Sequence, residues 1–190
     1  EKSKEKGIVY NVPCGKIAAQ TAHNYGLKSW RTRVGHTSMK KSMREHDAFF
    51  GCEHSGHYYY KKNFYADSAV ITSLIVCEIF SREKSKGFSF SQMLQPFQKY
   101  IQFEEKNIRV HNQEAVLAKI LSRYKKLGPR KVDSFDGLTI EFPKWWFNVR
   151  PSRSGEQYLR VNVEADNKPL LRQKRTELLR FIRQNSHTLP

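Results

Sequence analysis

Short apolar runs alternate with longer stretches of helical spacing over the first half of the chain. The predicted strands span residues 8–12, 30–34 and 48–50, and the predicted helices between them span 16–25 and 37–45. Each strand is a brief run rich in β-branched or aromatic residues, bounded by Gly, Pro or polar residues. A later stretch, residues 68–80, is apolar on most faces, which predicts a well-buried helix with Cys77 in the core. Strands that alternate with helices indicate an α/β unit.

The second half has a different pattern, in which most strands follow one another directly. Its predicted strands span residues 99–110, 131–135, 138–142, 145–149 and 158–164, and its predicted helices span 112–127 and 169–184. Asp136-Gly137 between two alternating apolar runs is typical of a tight hairpin turn. This half predicts a small α+β domain with an antiparallel sheet and two helices. An ambiguous stretch at residues 88–98 marks the boundary between two domains, 1–95 and 98–190.

The totals fit a soluble globular chain. Of 190 residues, 38% are hydrophobic and 13% aromatic, which is enough to build cores. No run approaches the ~20 apolar residues of a membrane helix, and the charged start, residues 1–6, is no secretory signal. Cys14, Cys52 and Cys77 are an odd number of cysteines far apart in sequence, which favours reduced thiols in a cytoplasm.

The balance of charge restricts the partners. The sequence has 34 basic and 18 acidic residues and a formal net charge of +16, so the molecule attracts anions. Nucleic acid, an acidic membrane and phosphorylated metabolites are the partners that fit. The chain also begins without methionine inside a charged run, which suggests that it is part of a longer protein.

Residues 51–57, read as Gly-Cys-Glu-His-Ser-Gly-His, form a polar loop between apolar strands. Glu53, Ser55 and His57 alternate, so an extended backbone would point all three side chains the same way. A carboxylate accepts from two neighbouring hydroxyls, a serine donates and accepts, and a histidine moves a proton near neutral pH. The pattern indicates a site that binds the vicinal hydroxyls of a sugar through hydrogen bonds.

Two other interpretations of this loop stay open at this point. One is a hairpin loop whose polar residues only face water. The other is zinc, because Cys52, His54 and His57 have ligand-like spacing. No second Cys/His pair lies at a fixed offset to close a tetrahedral site, so we predict no metal site.

A second polar motif follows the predicted strand at 145–149 and reads Arg150-Pro151-Ser152-Arg153-Ser154-Gly155. Two guanidinium groups, two hydroxyls and the free amides of a turn suit an oxyanion of phosphate size. Arginine is favoured because its planar fork donates two parallel hydrogen bonds. The alternative is a basic surface loop without a ligand. His36 is a further candidate because it lies at a strand-to-helix turn, where α/β folds bind ligands.

The combination of motifs resembles the α-D-phosphohexomutase superfamily, particularly bacterial phosphomannomutase/phosphoglucomutase. Residues 51–57 look like the family's sugar-binding loop, Gly-Glu-x-Ser-Gly-His, with Cys52 where a glycine is usual. Gly35-His36-Thr37 resembles its Gly-His-Ser element. Residues 142–152 and 159–165 resemble the strands that flank its C-terminal phosphate loop. The resemblance covers nearly the whole chain.

The resemblance implies a fold and a division of tasks. It implies a mixed-sheet α/β third family domain over residues 1–95, incomplete at its N-terminus, followed by a fourth, α+β domain over residues 98–190. The first two family domains, with the phosphoserine and the Asp-rich loop for Mg²⁺, are missing, so neither is expected in this chain. Hexose phosphates, a hexose 1,6-bisphosphate activator and the missing N-terminal half are the implied partners of a cytoplasmic isomerase.

The resemblance also assigns roles to individual residues. Glu53 and Ser55 would hold sugar hydroxyls in either orientation of the substrate. His57 and His36 would tune proton transfer or ligand charge. The non-reacting phosphate would be held by Arg150, Ser152, Arg153 and Ser154.

The chain departs from the family pattern at two further places. The phosphate loop usually reads Arg-Pro-Ser-Asn-Thr-Glu-Pro, whereas Arg153 and Ser154 replace Asn and Thr here, and Gly155 is inserted. Many members have a basic residue at the end of the first strand, where this chain has Pro13. Lys16 is the candidate that would replace that contact.

The sequence therefore predicts the C-terminal half of a phosphohexomutase that interconverts hexose 1-phosphates and 6-phosphates and is inactive on its own. One alternative is a non-catalytic basic module that binds nucleic acid through Tyr58-Tyr59-Tyr60-Lys61-Lys62. Another is a regulator that binds phosphosugars without catalysis. Steep loss of binding with salt would favour the nucleic-acid module.

Overall fold

Two sheets organise the chain, one in each half. The structure, a computed structural model, describes residues 7–152 and 157–186. The chain divides into two units, residues 1–99 and 100–190, and each sheet lies within one unit. This α/β plus α+β arrangement confirms the fold class predicted from the sequence.

The first unit is a mixed sheet with helices. Its strands are β1 (Gly7–Asn11), β2 (Lys28–Thr32), β3 (Phe50–Cys52), β4 (Tyr58–Tyr60) and β5 (Ala66–Asp67), and its helices are α1 (Gly15–Asn24), α2 (His36–Glu45), α3 (Ala69–Ser85) and α4 (Phe90–Leu94). The strand order is β2-β1-β3-β4-β5, with β1 parallel to β2 and β3, and with β4 and β5 antiparallel. Because β1, β2 and β3 are parallel, their carboxyl ends meet at one edge of the sheet. The turns that lead to α1 and α2 and the loop at 51–57 all follow that edge.

Close packing of α2 on the sheet holds the start of this loop. Val9, Met39 and Met43 are fully buried in the core of the unit. A Cβ placed on Gly51 would lie 2.6 Å from the Met43 sulfur and 2.9 Å from the Met39 sulfur. Glycine at position 51 therefore lets the helix approach β3 closely.

Helix α3 is not buried, contrary to the expectation from its sequence. Ser68 caps it by accepting a hydrogen bond from Ile71 N at 3.2 Å. None of its residues is buried: Val70 is 71% and Leu74 66% exposed, and Cys77 is also exposed rather than in the core. The prediction was wrong because apolar composition indicates only that a helix can pack against another element. It does not show which element of the chain, if any, packs against α3. In the described ranges, neither α3 nor any other helix is long and apolar enough to cross a membrane.

The second unit is an antiparallel sheet with two helices. Its strands are β6 (Ile101–Arg109), β7 (Lys131–Asp133), β8 (Leu138–Glu141), β9 (Trp145–Pro151) and β10 (Tyr158–Ala165), and its helices are α5 (Gln113–Lys125) and α6 (Lys168–Gln184). The strand order is β6-β10-β9-β8-β7. Leu159, Val161 and Val163 are at most 1% exposed, so one face of β10 lies in the core as predicted. Asn112 and Asn167 cap the two helices through their side-chain oxygens.

The hairpin between β7 and β8 contains Asp136-Gly137, as predicted, and Gly137 has a φ of 71°. β7 ends at Asp133, earlier than predicted, because Asp133 Oδ1 accepts a hydrogen bond from Phe135 N at 2.8 Å and turns the chain there. A Cβ on Gly137 would lie 2.4 Å from the Cβ of Arg150. The hairpin therefore packs directly on one of the predicted phosphate ligands.

Candidate functional site

The polar loop between β3 and β4 is a tight turn. Gly56 N donates to the Glu53 carbonyl at 3.0 Å, and Glu53 N donates to the His57 carbonyl at 2.9 Å. The turn separates the three candidate side chains, because Glu53 is only 6% exposed whereas Ser55 and His57 are exposed. The backbone is not extended here, so the condition under which all three side chains would point the same way is not met.

The Glu53 carboxylate joins three parts of the first unit. Oε1 accepts hydrogen bonds from Asn11 Nδ2 at 3.2 Å and from Gly35 N at 2.9 Å. Oε2 accepts from the Tyr59 hydroxyl at 2.9 Å. Burial and this hydrogen bond raise the pKa of Tyr59, which keeps the hydroxyl a neutral donor. The carboxylate thus ties the loop to the end of β1, to the turn before α2 and to β4.

Asn11 is the centre of a second set of contacts. Its Oδ1 accepts from Cys14 Sγ at 3.1 Å and from His54 N at 3.2 Å, while its Nδ2 donates to Glu53. The side chain is buried. Sequence reasoning missed both Asn11 and Tyr59. An amide at the carboxyl end of a central strand is the signal that would have pointed to Asn11, because a buried amide needs partners.

His57 lies on the exposed side of the loop beside Asp67. Its Nδ1 is 2.6 Å from Asp67 Oδ2, and the two side chains are 54% and 44% exposed. Asp67 is opposite Tyr59 in the pairing of β4 with β5. The carboxylate favours a proton on Nδ1 and orients the ring, which leaves Nε2 directed away from it.

His36 and Lys16 each lie in the first turn of a helix. His36 is the first residue of α2 and is exposed, and Lys16 is the second residue of α1 and is half-buried. Both helices begin at the carboxyl edge of the parallel strands, where the positive ends of helices favour anions. The structure therefore brings Lys16, His36 and the 51–57 loop to the same edge of the sheet.

Arg150 is buried in the second unit. It is 5% exposed, and its Nη2 donates to Glu105 Oε2 at 2.9 Å. Arg160 Nη1 donates to Glu105 Oε1 at 3.2 Å, and Asn162 Nδ2 donates to Oε2 at 2.9 Å. One carboxylate therefore holds two arginines that face each other across β9 and β10.

The rest of the phosphate motif is described in part. Ser152 N donates to the Tyr158 carbonyl at 2.8 Å, which continues the pairing of β9 with β10. Arg153 and Ser154, the other predicted phosphate ligands, lie outside the described residues. No sequence motif pointed to Glu105, which is 45 residues from Arg150.

Glu105 should make the stability of the second unit sensitive to acid. Burial raises its pKa, but the hydrogen bond from Asn162 and the charges of Arg150 and Arg160 outweigh burial and lower the pKa below its ordinary 4.5. A lowered pKa in the folded state stabilises the unit above pH 4.5, and this contribution is lost as the pH falls through the folded-state pKa.

Denaturant unfolding between about pH 6 and about pH 3 should therefore show a steeper loss of stability for the unmodified chain than for Glu105→Gln, which has no proton to take up at that position. Parallel curves for the two proteins would contradict the assignment.

Two alternatives raised by the sequence, zinc in the loop and nucleic acid on the strip of residues 58–62, can be weighed on this geometry. Within residues 7–152 and 157–186, no group of three or more His, Cys, Asp or Glu side chains could hold a metal ion. Base stacking needs exposed rings, but Tyr59 is 1% exposed with its hydroxyl on Glu53. Lys61 in the same strip pairs with Asp47 at 2.5 Å. Tyr59 and Lys61 are therefore engaged within the unit, while Tyr58 and Tyr60 are half-buried and Lys62 is exposed.

Comparison with known proteins gives consistent matches. The family described as phosphoglucomutase/phosphomannomutase, alpha/beta/alpha domain III, matches residues 1–100. The phosphomannomutase of Methanocaldococcus jannaschii is 35% identical over 182 residues, which are 96% of this chain and 39% of that protein. A phosphomannomutase of Escherichia coli is 32% identical over 146 residues, which are 77% of this chain and 31% of that protein. The chain thus spans between 31% and 39% of the length of these relatives.

Solved structures agree on the fold. A phosphoglucomutase/phosphomannomutase family protein from Burkholderia thailandensis aligns with a TM-score of 0.77 at 22% identity, over 98% of this chain and 39% of that one. At this identity the likeness concerns the fold alone. The family match covers 100 of 190 residues, which is more than half of the chain. The chain therefore belongs to the phosphoglucomutase/phosphomannomutase family within the α-D-phosphohexomutase superfamily, as a C-terminal part.

Proposed function

We propose that this chain is the C-terminal part of a cytoplasmic phosphohexomutase that interconverts hexose 1-phosphates and hexose 6-phosphates. The observation that carries the proposal is the buried Glu53 carboxylate, which holds the 51–57 loop against the turn at Gly35. That loop lies at the carboxyl edge of the parallel strands, the usual ligand side of α/β sheets. The chain also belongs to a mutase family.

Glu53 has a structural task and a binding task in this proposal. An ionised carboxylate has about four acceptor sites, and Glu53 uses three of them within the unit. One site is left for a sugar hydroxyl. Ser55, exposed in the same turn, would donate to or accept from a neighbouring hydroxyl. His57 and His36 would tune proton transfer or ligand charge, and Lys16 would add a cation near the start of α1.

The non-reacting phosphate is assigned to Arg150, Ser152, Arg153 and Ser154 of the second unit. A guanidinium carries five N–H donors, and Glu105 accepts from one nitrogen of Arg150. In the described part of the chain, the Nε atoms of Arg150 and Arg160 are buried without a hydrogen-bond partner. The support for an anion-binding role is that Glu105 holds the Arg150 guanidinium in one orientation at the end of β9.

The phosphoryl transfer itself is assigned to the part of the mutase outside this chain. The resemblance to the phosphohexomutases is the ground on which we assign Mg²⁺ and the phosphoserine to that part, with a hexose 1,6-bisphosphate as activator. This chain would supply positioning and electrostatics, which are most of what phosphoryl transfer demands of a protein.

An apolar surface on the first unit supports a protein partner. We define the α3 face as the exposed apolar residues of α3, which lie around much of the helix and are between 36% and 71% exposed: Val70, Leu74, Ile75, Val76 and Ile79. Apolar patches of this kind mark contact surfaces. The chain spans 39% of its Methanocaldococcus jannaschii relative. We therefore assign the α3 face to contact with the remaining part of the mutase.

The purified chain should show no mutase turnover with a hexose 1-phosphate, Mg²⁺ and a hexose 1,6-bisphosphate. Turnover should appear when the remaining part of the mutase is added. Leu74→Glu should weaken this restoration at least about tenfold, because it places a charge in an apolar contact. Coupled detection of hexose 6-phosphate measures the rate over a titration of the added part.

Ser73→Glu is the matched control, since it places the same charge at an exposed polar position of α3. Equal effects of the two variants would remove the α3 face as the contact. Turnover by the chain alone would contradict the division of tasks. Hexose phosphate binding without restored turnover would favour a phosphosugar-binding regulator, and salt-sensitive binding to nucleic acid alone would favour the basic module.

A further inference from the structure

Two of the three cysteines meet at the base of the 51–57 loop. Cys14 Sγ lies 3.5 Å from the carbonyl oxygen of Cys52, and the same thiol donates to Asn11 Oδ1 at 3.1 Å. Tyr10 of β1 is paired with Cys52 of β3, and a 3-10 turn at Val12–Cys14 carries Cys14 back towards that pair. The two cysteines are 38 residues apart, so the contact is produced by the fold and not by a local turn.

We propose that Cys14 and Cys52 form a reversible disulfide that weakens binding of the ligand by the 51–57 loop. Formation of the disulfide is independent of the proposed function, and only the effect of the disulfide on binding rests on that function. The carbonyl that Cys14 contacts belongs to the same residue as the second thiol, and the two thiols lie within hydrogen-bonding reach of each other. Both side chains are partly exposed, which gives a small oxidant access.

The two thiols have different acidities. A hydrogen bond from Cys14 lowers the pKa of Cys52, against burial and the charge of Glu53, which raise it. The same hydrogen bond and burial raise the pKa of Cys14. Cys52 is therefore the sulfur that reacts as a thiolate, and Cys14 is the resolving thiol.

Hydrogen peroxide is the oxidant that suits this pair. The Cys52 thiolate attacks one peroxide oxygen, the O–O bond breaks, and the leaving hydroxide takes up a proton to become water, which leaves a sulfenic acid on Cys52. Cys14 then attacks the Cys52 sulfur, the S–O bond breaks, and the oxygen leaves as water with the Cys14 proton. Two thiols are oxidised to one disulfide, and the peroxide is reduced to water. A low-molecular-weight thiol reverses the bond by exchange.

The bond would change the contacts that hold the loop. Cys14 Sγ can no longer donate to Asn11 Oδ1, and Asn11 is one of the donors to Glu53. Cys52 is also the residue directly before Glu53, so a new link to Cys14 shifts the carboxylate. Loss of about one net hydrogen bond predicts binding that is roughly threefold to tenfold weaker.

The 190-residue chain, treated with hydrogen peroxide and digested without reduction, should yield a peptide pair linked through Cys14 and Cys52. Calorimetric titration with glucose 6-phosphate should show weaker binding after oxidation and recovery after reduction with glutathione. Cys14→Ser and Cys52→Ser should each lose this response. Cys77→Ser should keep it, because Cys77 is an exposed residue of α3 and is not one of the two linked cysteines.

Absence of the Cys14–Cys52 link, or a dimer linked through Cys77 in its place, would overturn the proposal. A link that leaves glucose 6-phosphate affinity unchanged would overturn its regulatory part. If the reduced chain bound no hexose phosphate at all, the proposed function would fail, while the peptide mapping would still decide whether the disulfide forms.

Discussion

Arg150→Ala should remove most of the affinity of the chain for hexose phosphates. Arg150 is 5% exposed and is held by Glu105 at 2.9 Å, so its guanidinium has one orientation before a ligand arrives. A mobile surface cation contributes ~0 to 1 kcal/mol to binding, whereas a fixed partner of a dianion contributes several times more. We expect the dissociation constant of glucose 6-phosphate to rise by about two orders of magnitude, or ~2.7 kcal/mol, in calorimetric titration.

The same substitution should also destabilise the second unit, so folding and binding must be separated. Glu105 keeps Arg160 and Asn162 when Arg150 is removed, and we expect a loss of ~1 to 3 kcal/mol in the free energy of unfolding. Glu105→Gln is the control, because it removes the counter-charge and leaves the guanidinium in place. It should lower stability by a similar amount and retain binding.

Arg153→Asn gives the second comparison, since it restores the residue that is usual in the family. A loop arginine contributes little if Arg150 is the anchor, so we expect the affinity to change less than about threefold. The reverse order, with a large effect at Arg153 and a small one at Arg150, would show that the inserted Gly155 has shifted the anchor into the loop.

Glu53→Gln should weaken binding of both the 1-phosphate and the 6-phosphate, by on the order of 1.5 to 3 kcal/mol. If the amide oxygen keeps Asn11 Nδ2 and Gly35 N, the NH₂ group faces the Tyr59 hydroxyl, which can accept from it but then loses the acceptor for its own proton. That mismatch is buried, and it should lower the stability of the first unit as well. Titration with both substrates and denaturant unfolding measure the two effects.

Two matched variants separate the effect of the Glu53 carboxylate on binding from its effect on stability. Tyr59→Phe removes one donor and keeps the charge, so it should cost ~0.5 to 1.5 kcal/mol of stability. Ser55→Ala changes an exposed residue of the same turn and should leave stability within about 0.5 kcal/mol while it reduces binding. Unchanged binding and unchanged stability in Glu53→Gln would reduce Glu53 to an ordinary loop carboxylate.

Local pattern was sufficient for most of the fold. Alternation in β10, the Asp136-Gly137 turn and the amphipathic spacing of α6 depend on neighbours in sequence, and each was predicted close to its observed position. The loop at 51–57 was found for the same reason, because its polar residues are consecutive. The conformation of this loop was not predicted, since a tight turn and an extended segment can have the same composition.

Contacts between residues far apart in sequence could not be predicted from the local sequence pattern. Asn11 and Glu53 are 42 residues apart, and Glu105 and Arg150 are 45 apart, so spacing carries no signal for either pair. The exposure of α3 was missed for a related reason. An apolar helix predicts burial, but whether it is buried depends on the elements that pack against it and not on the helix sequence itself.

The two ends of the Asn11 side chain restrict which residues position 11 can tolerate over evolutionary time. Its oxygen accepts from Cys14 and from His54 N, while its nitrogen donates to Glu53. Aspartate, the isosteric neighbour, would accept as well but would set a second carboxylate against the first without a donor between them. Serine is too short to reach three partners, and leucine would leave all of them unpaired. Sequence drift at position 11 should therefore be slower than at the exposed Ser55, although Asn11 never needs to touch the sugar.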